Sequence, residues 1–111
     1  MIDEDALVQH CFEIISYAGG AKGKYVSAIA KMKDAKRDEA LELIKEGDEA
    51  FESGHVVHLN LLQATATGEM SGANLLLIHA EDQMAAAETF RILADDFMDV
   101  YQKFEELARK Q

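Results

Sequence analysis

Apolar residues recur at spacings of three and four along almost the whole 111-residue chain, and no proline interrupts them. This spacing is the period of an α-helix with one apolar side. The chain is also rich in Ala, Leu, Glu, Lys and Met, which favour helices. Its length suits one domain with one core. We therefore expect a single all-α domain covering residues 1–111.

Two short joints divide this pattern into three long helices. The first helix should begin near Asp3–Asp5 and end at about 32–33, the second should run from Asp34 to about Thr67, and the third from about Ala73 to Ala108. Short joints between long helices place neighbouring helices antiparallel. The predicted architecture is an up-down-up three-helix bundle.

Capping residues and glycines mark the ends and the weak points of these helices. Asp34 is the expected N-cap of the second helix, and Gly68 should end that helix in the left-handed conformation. Ser71 is the candidate cap of the third helix. Gly19-Gly20 and Gly23 interrupt the first helix, and a glycine weakens a helix interior. We expect a kink there, or a close approach by another backbone.

Small residues occupy predicted core positions in the first two helices. Cys11 lies on an apolar row with Leu7 and Ile14, so we interpret it as a buried core residue. Gly47 and Gly54 lie on an inner row of the second helix, where they would let a neighbouring helix come close. Because Cys11 is the only cysteine, no intrachain disulfide can form.

The third helix places a histidine where its pattern calls for a hydrocarbon. We interpret two rows at heptad spacing as its core rows: Leu107, Val100, Leu93, Ala86 and His79, and Phe104, Phe97, Phe90, Gln83 and Leu76. Breaks in such a pattern concentrate at functional sites. Asp82 follows His79 by three residues and so shares roughly its face. His79, Asp82 and Gln83 are therefore the candidate site residues.

Apolar side chains surround much of the third helix between Asn74 and Ala94. A three-helix bundle covers only one side of each helix, and a helix that is apolar on several faces needs more cover. We infer self-association with the third helix at its centre. The alternative is one wide apolar stripe on a monomer, although exposed patches of this kind are uncommon on monomers.

The net charge is −10, from 11 basic and 21 acidic residues. Such a surface repels a phosphate backbone and an anionic membrane, and it attracts a partner with a basic patch. The acidic N-terminus is not followed by a signal peptide, and no stretch approaches the roughly 20 apolar residues of a membrane span. We expect a cytoplasmic protein.

The segment from Leu75 to Met84, Leu-Leu-Leu-Ile-His-Ala-Glu-Asp-Gln-Met, resembles a known family motif. It is similar to the leucine-rich segment and His-Ala-x-Asp motif of the enzyme IIA component of the lactose/cellobiose/chitobiose class of the bacterial phosphoenolpyruvate-dependent sugar phosphotransferase system. Supporting similarity lies at Ile14–Ser16 with Gly20–Lys22, at Ala40–Ala50 and at Ala66–Glu69. The resemblance covers nearly the whole chain, so residues 1–111 are expected to form one such domain.

The resemblance implies a phosphocarrier with a phosphohistidine intermediate, built as a homotrimer of three-helix subunits. By motif match, His79 would accept a phosphoryl group from the phosphocarrier protein HPr and pass it to a cysteine of the cognate IIB component. The membrane would be reached only through the IIC permease. Asp82 would bind a divalent metal, expected to be Mg²⁺, at the trimer axis. Lactose-type members often carry a second histidine where this chain has Gln83.

The residue types suit this chemistry. A neutral imidazole has a free ring nitrogen near pH 7, and phosphoryl transfer depends mainly on positioning and charge stabilisation. Gln83 could hydrogen-bond the phosphoryl oxygens or the ring of His79. Three copies of Asp82 brought together would repel each other. A divalent cation would relieve this repulsion, and protonation or a lysine from another helix are alternatives.

Two other functions remain open from the sequence. Glu52 and His55 match a Glu-x-x-His pattern, and His58 lies three residues further on. That pattern contributes to di-iron sites in helical bundles, so a carboxylate/histidine metal-binding protein is the main alternative. The second alternative is a structural helical module that assembles through the third helix, for which His79 would have no functional role.

Overall fold

The computed structural model describes residues 3–68 and 75–110. Three α-helices account for nearly all of them: α1 (Glu4–Lys33), α2 (Arg37–Ala66) and α3 (Leu75–Arg109). They form a rod of 63 × 19 × 18 Å. The described ranges contain no strand, so the expected all-α three-helix architecture is confirmed. None of the helices in these ranges has both the length and the apolar character that crossing a bilayer would demand.

The contacts between helices show that neighbours run antiparallel. Near one level of the rod, Gly54 of α2 lies beside Tyr17 of α1 and Met84 of α3. Towards the other end, Asp48 of α2 contacts both Tyr25 and Arg91. Residue numbers therefore fall along α2 while they rise along α1 and α3. Most contacts are made by α1, whereas α2 and α3 touch each other much less.

α1 begins where its acidic N-terminal residues predicted, but the glycines within it do not mark a close contact with another backbone. The carboxylate of Asp3 accepts a hydrogen bond from the Ala6 N–H at 2.7 Å and caps the helix. The helix then continues through Gly19, Gly20 and Gly23 without a break. A Cβ at any of the three would meet nothing within 4 Å. The predicted close approach of another backbone is therefore wrong, because these glycines face open space.

The joint between α1 and α2 differs from its prediction. Asp34 is not the N-cap of α2, which begins at Arg37 without a side-chain cap. Instead Asp34 follows the last turn of α1, where the Lys36 N–H donates to the Lys31 carbonyl at 2.9 Å. Ala35 has φ of 61°, so the joint is a Schellman motif with alanine in the left-handed position. This motif uses residues 34–36 to reverse the chain, which leaves no room for Asp34 to cap α2.

The end of α2 agrees with its prediction. Gly68 has φ of 79°, the left-handed conformation that glycine adopts without steric cost. The Thr67 N–H donates to the Gln63 carbonyl at 3.0 Å and closes the last turn. The predicted cap at Ser71 and the predicted start of the third helix at Ala73 lie outside the described residues.

Small side chains dominate the core and allow the helices to pack closely. Cys11 is fully buried, as predicted, and burial together with the charge of Glu81 raises the pKa of its thiol. Gly47 is buried against Tyr25 of α1, and Gly54 is buried against Tyr17 of α1 and Met84 of α3, which confirms that both allow a neighbouring helix to come close. The buried core consists of Leu7, Cys11, Ile14, Ala18, Ala21, Tyr25, Ala28, Met32, Ala40, Ile44, Leu61, Ala64, Ala80, Met84, Ala87, Ala94 and Met98.

The buried face of α3 is not the face that its heptad pattern predicted. Its buried residues are Ala80, Met84, Ala87, Ala94 and Met98. The two predicted core rows are wrong as rows of the intrachain core. Most of their large side chains are 40–69% exposed and, with Ile78, form what we call the outer stripe: Ile78, Leu93, Phe97, Val100, Phe104 and Leu107. Both faces of α3 have helical spacing. α1 packs on the face that carries the alanines, because their small side chains let the two helices come close.

One polar network ties all three helices together near the middle of the rod. The Tyr25 hydroxyl donates to Asp48 at 2.7 Å, and the Arg91 Nε donates to the same carboxylate oxygen at 2.6 Å. Arg91 also pairs with Asp95 at 2.7 Å. Burial, followed by the hydrogen bond and the charge of Asp48, raises the pKa of Tyr25 well above its usual value. The network links α2 and α3 to α1 at this level of the rod.

Candidate functional site

His79 lies in the second turn of α3, on the part of the helix that precedes its first buried residue, Ala80. Its side chain is exposed, and it makes no hydrogen bond or ion pair with any residue in the described ranges. The imidazole is therefore held by a regular helix, yet a partner protein can reach it. This exposure corrects the prediction that His79 occupies a core row within the subunit.

Asp82 and Gln83 lie on the same side of α3 as His79. Gln83 follows His79 by one helical turn and is half-buried, whereas Asp82 is exposed. By helical position, Asp82 projects from the N-terminal part of the outer stripe, between Ile78 and Leu93. Neither side chain makes a hydrogen bond or ion pair within the described part of the chain. The helix thus groups the three predicted site residues and leaves their polar atoms available.

A histidine of α2 lies on the opposite side of α3 from His79. His58 Nε2 and Glu81 Oε2 are 2.6 Å apart, and their side chains are 16% and 40% exposed. Hydrogen bonds that involve a charged acceptor are shorter and stronger than neutral ones. This pair joins the C-terminal part of α2 to the N-terminal part of α3.

The His58–Glu81 pair forms part of a groove of ≈ 470 Å³ between α2 and α3. The groove has an apolar floor that includes Phe51 and Met84, and Glu88 lies on its wall. The ring of His55 stacks on Phe51 with centroids 6.0 Å apart and an interplanar angle of 13°. Aromatic packing therefore accounts for the half-buried position of His55.

The metal-binding alternative based on Glu52, His55 and His58 receives no support from this arrangement. Glu52 lies along a different groove, which residues of α2 such as Ile44 and Asp48 also line. His58 is instead hydrogen-bonded to Glu81. Within residues 3–68 and 75–110, no three His, Cys, Asp or Glu side chains are placed to hold a metal ion.

Asp82 has the donor chemistry that a hard divalent cation requires. Mg²⁺ and Ca²⁺ bind oxygen ligands, and the Asp82 carboxylate is exposed and unpaired within the described ranges. One chain offers one such carboxylate at this position. A cation site at Asp82 would therefore need ligands from further copies of the chain or from water.

Glu81 is the residue of this region that the sequence reasoning missed. It is one of only four charged residues between Asn74 and Ala94, together with Asp82, Glu88 and Arg91. Two of the four, Glu81 and Arg91, make the hydrogen bonds that join α3 to α2. A charged residue in an otherwise apolar segment often has a partner on another helix, and this scarcity of charge was the signal in the sequence that could have identified Glu81 and Arg91.

Comparison with known proteins places this helical unit among sugar-transport components. Residues 9–102 match the family model described as the PTS system, lactose/cellobiose specific IIA subunit. The structure is similar to the crystal structure of the PTS cellobiose specific enzyme IIA from Bacillus anthracis, with a TM-score of 0.87 and 33% sequence identity. That similarity covers 96% of this chain and 95% of the other chain.

A curated relative shows the same similarity over a shorter segment. The chain is 40% identical over 58 residues to the PTS system lactose-specific EIIA component of Staphylococcus epidermidis (strain ATCC 35984 / DSM 28319 / BCRC 17069 / CCUG 31568 / BM 3577 / RP62A). The matched segment covers 52% of this chain and 56% of that protein.

Proposed function

Because the chain belongs to the lactose/cellobiose-specific IIA family of the sugar phosphotransferase system, we propose that it carries a phosphoryl group on His79 during sugar uptake. The observation that supports this role best is the exposed, unpaired imidazole of His79 on a long packed helix. A phosphoryl carrier needs a nucleophile that two partners can reach in turn. A helix limits the positions that this nucleophile can take, and phosphoryl transfer depends mainly on positioning.

The proposed reaction has two steps. In the first, a free ring nitrogen of neutral His79 attacks the phosphorus carried by HPr, so that a new N–P bond forms as the bond to the donor breaks. In the second, a cysteine thiolate of the IIB component attacks the same phosphorus. A P–S bond forms, the N–P bond breaks, and the electron pair returns to the ring nitrogen of His79. No nucleotide is needed in either step.

Gln83 is the residue of this chain best placed to assist. Its amide lies one turn from His79 on the same side of α3 and has no partner in the described ranges. An amide N–H can donate to a phosphoryl oxygen, and an amide C=O can accept from the ring N–H. Positive charge for the transferred group would come from the partners, because this chain has a net charge of −10. The same charge would attract a basic donor.

We also propose that the functional unit is a homotrimer joined along α3. The outer stripe supports this proposal, because a row of apolar side chains such as Phe104 at 69% exposure is unusual on a monomer. Symmetry would then bring copies of Asp82 together at one level of the stripe. A divalent cation, for which we propose Mg²⁺, would neutralise those carboxylates and link the chains.

Labelling with phosphate tests the proposal directly. The purified protein is incubated with phosphoenolpyruvate, enzyme I and HPr, and acid-labile phosphate on the chain is measured. We expect one label per chain in the wild type, none in His79→Gln, and full labelling in His55→Gln, whose ring packs on Phe51 away from His79. Label that persists in His79→Gln would refute the assignment.

A further inference from the structure

In the part of α3 that carries His79, Leu76 and Leu77 are half-buried and pack against the core, whereas their neighbours face outwards. Leu75 is 82% exposed and Ile78 is 50% exposed, and no residue from 75 to 79 is fully buried. The first buried side chain is Ala80, a single methyl group, and the next is Met84. The apolar packing of residues 75–80 therefore consists of two half-buried leucines and one buried methyl group.

The His58–Glu81 hydrogen bond supplies a specific tie for this stretch. Among the described residues, it is the one hydrogen bond between side chains that joins residues 75–83 to another helix. The next tie between α2 and α3 is made by Asp48 and Arg91. Arg91 follows His79 by twelve residues, which is about 18 Å along a helix. The His58–Glu81 pair is thus a polar anchor within the segment that carries the candidate site.

The geometry of a helix connects this anchor to the orientation of His79. Two residues along a helix correspond to a rotation of about 200°, so Glu81 and His79 project from nearly opposite sides of α3. When Glu81 is held against α2, His79 is turned away from α2 and out to solvent. We propose that His58 is a positioning residue, which fixes the rotation of α3 through Glu81 and so presents the imidazole of His79 to the phosphoryl donor.

This inference rests on the proposed phosphocarrier function, and its test separates the two. The rate of labelling by phospho-HPr is measured over a range of donor concentrations for the wild type, His58→Ala, His58→Gln and the swapped pair His58→Glu with Glu81→His. We expect kcat to fall about ten-fold in His58→Ala, because small errors in positioning strongly slow group transfer. KM should change little, since His58 packs on the side of α3 opposite His79. The swapped pair, which can form the same hydrogen bond in reverse, should recover most of the rate, and His58→Gln should recover part of it.

Asp48→Asn is the matched control for general loss of stability. It weakens the other tie between α2 and α3, made to Arg91 at 2.6 Å, but far from His79. We expect it to lower the melting temperature at least as much as His58→Ala while leaving kcat for labelling unchanged. Amide exchange at residues 78–83 should accelerate in His58→Ala only.

The possible outcomes are distinct. An unchanged kcat in His58→Ala, or an equal loss in Asp48→Asn, would overturn the positioning role while the proposed function stands. Failure of the swapped pair to recover any rate, with amide exchange restored to the wild-type level, would also overturn it. Failure of the wild-type protein to take label would refute the proposed function and the inference with it.

Discussion

The ring of Tyr25 on α1 lies directly against the backbone of Gly47 on α2. A methyl group at position 47 would lie 2.6 Å from Cε1 and 2.9 Å from Cδ1 of that ring. The ring is fully buried, and its hydroxyl is held by Asp48 at 2.7 Å, so it cannot simply move aside. The spacing between α1 and α2 is therefore set at this point by the absence of a side chain.

This contact predicts the effect of adding one carbon atom. Gly47→Ala should lower the free energy of unfolding by about 1–2 kcal/mol, because overpacking of the core outweighs the better helix propensity of alanine. Gly23→Ala is the control: nothing lies within 4 Å of its Cβ, and it should raise the free energy of unfolding by about 0.5–1 kcal/mol. Urea denaturation measures both. A Gly47→Ala protein as stable as the Gly23→Ala protein would contradict the close contact.

The left-handed alanine in the first joint predicts a stabilising substitution. Ala35 has φ of 61°, a conformation that costs an L-residue about 1–2 kcal/mol and costs glycine nothing. Ala35→Gly should raise the free energy of unfolding by about 0.5–1 kcal/mol, after allowing for the greater freedom of glycine in the unfolded chain. The same change at Ala30, an exposed position inside α1, should lower it by about 1 kcal/mol. Equal effects at the two positions would argue against the Schellman motif.

Tyr25 predicts a loss of stability at high pH. Its pKa is raised in the folded protein by burial and by Asp48, whereas an unfolded tyrosine ionises near pH 10. Its contribution is therefore complete below about pH 10 and is lost as the pH rises from there towards the raised value. Tyr25→Phe should cost about 1 kcal/mol at pH 7, and the difference from wild type should shrink above pH 10. Tyr17→Phe, at a tyrosine that is 40% exposed, should cost much less than Tyr25→Phe at pH 7 in urea denaturation.

The outer stripe predicts the effect of a surface charge on assembly. If α3 joins three copies, Val100→Asp should convert a trimer into monomers in sedimentation experiments, because it places a charge in the apolar contact. Leu41→Asp is the control, since Leu41 is 45% exposed on α2, compared with 58% for Val100 on the stripe. Circular dichroism should remain unchanged in both variants. A wild-type protein that stays monomeric at micromolar concentration would refute the trimer.

The proposed cation site at Asp82 predicts that a chelator changes the melting temperature only when the Asp82 carboxylate is present. If a divalent cation neutralises several copies of Asp82, a chelator should lower the melting temperature of the wild-type protein, because like charges would then repel. Asp82→Asn removes those charges, so the chelator should have no effect on this variant. Added Mg²⁺ should restore the wild-type value. A melting temperature that does not respond to chelator in the wild type would remove the case for a cation at this residue.

The helices and the core of α1 and α2 could be predicted because both depend on short-range spacing. Cys11 and Gly47 lie on rows that the residues themselves define, and both are buried as expected. The first joint could not be predicted in the same way. Asp34 suits an N-cap by residue type, and alanine is seldom found in the left-handed position that Ala35 adopts.

The candidate site could be predicted only as far as one helix determines it. The grouping of His79, Asp82 and Gln83 follows from their spacing. The buried face of α3 could not be predicted from spacing, because α3 has two apolar faces with equally regular spacing. Ala87 lies on the buried face and Leu93 on the exposed one. Which face packs inside the chain depends on the neighbouring helices. The pairing of His58 with Glu81 could not be predicted from the sequence either, since it depends on the relative register of α2 and α3.

The length of α3 keeps the candidate phosphoryl site at His79 far from the C-terminal end of the outer stripe. Leu107, at the far end of the outer stripe, follows His79 by 28 residues, which is about 42 Å along the axis. In the proposed trimer, substitutions near Leu107 would therefore change the affinity between copies without disturbing the imidazole. Conversely, substitutions around His79 would alter the proposed contacts with the phosphoryl donor and acceptor without altering the proposed contacts between copies near Leu107.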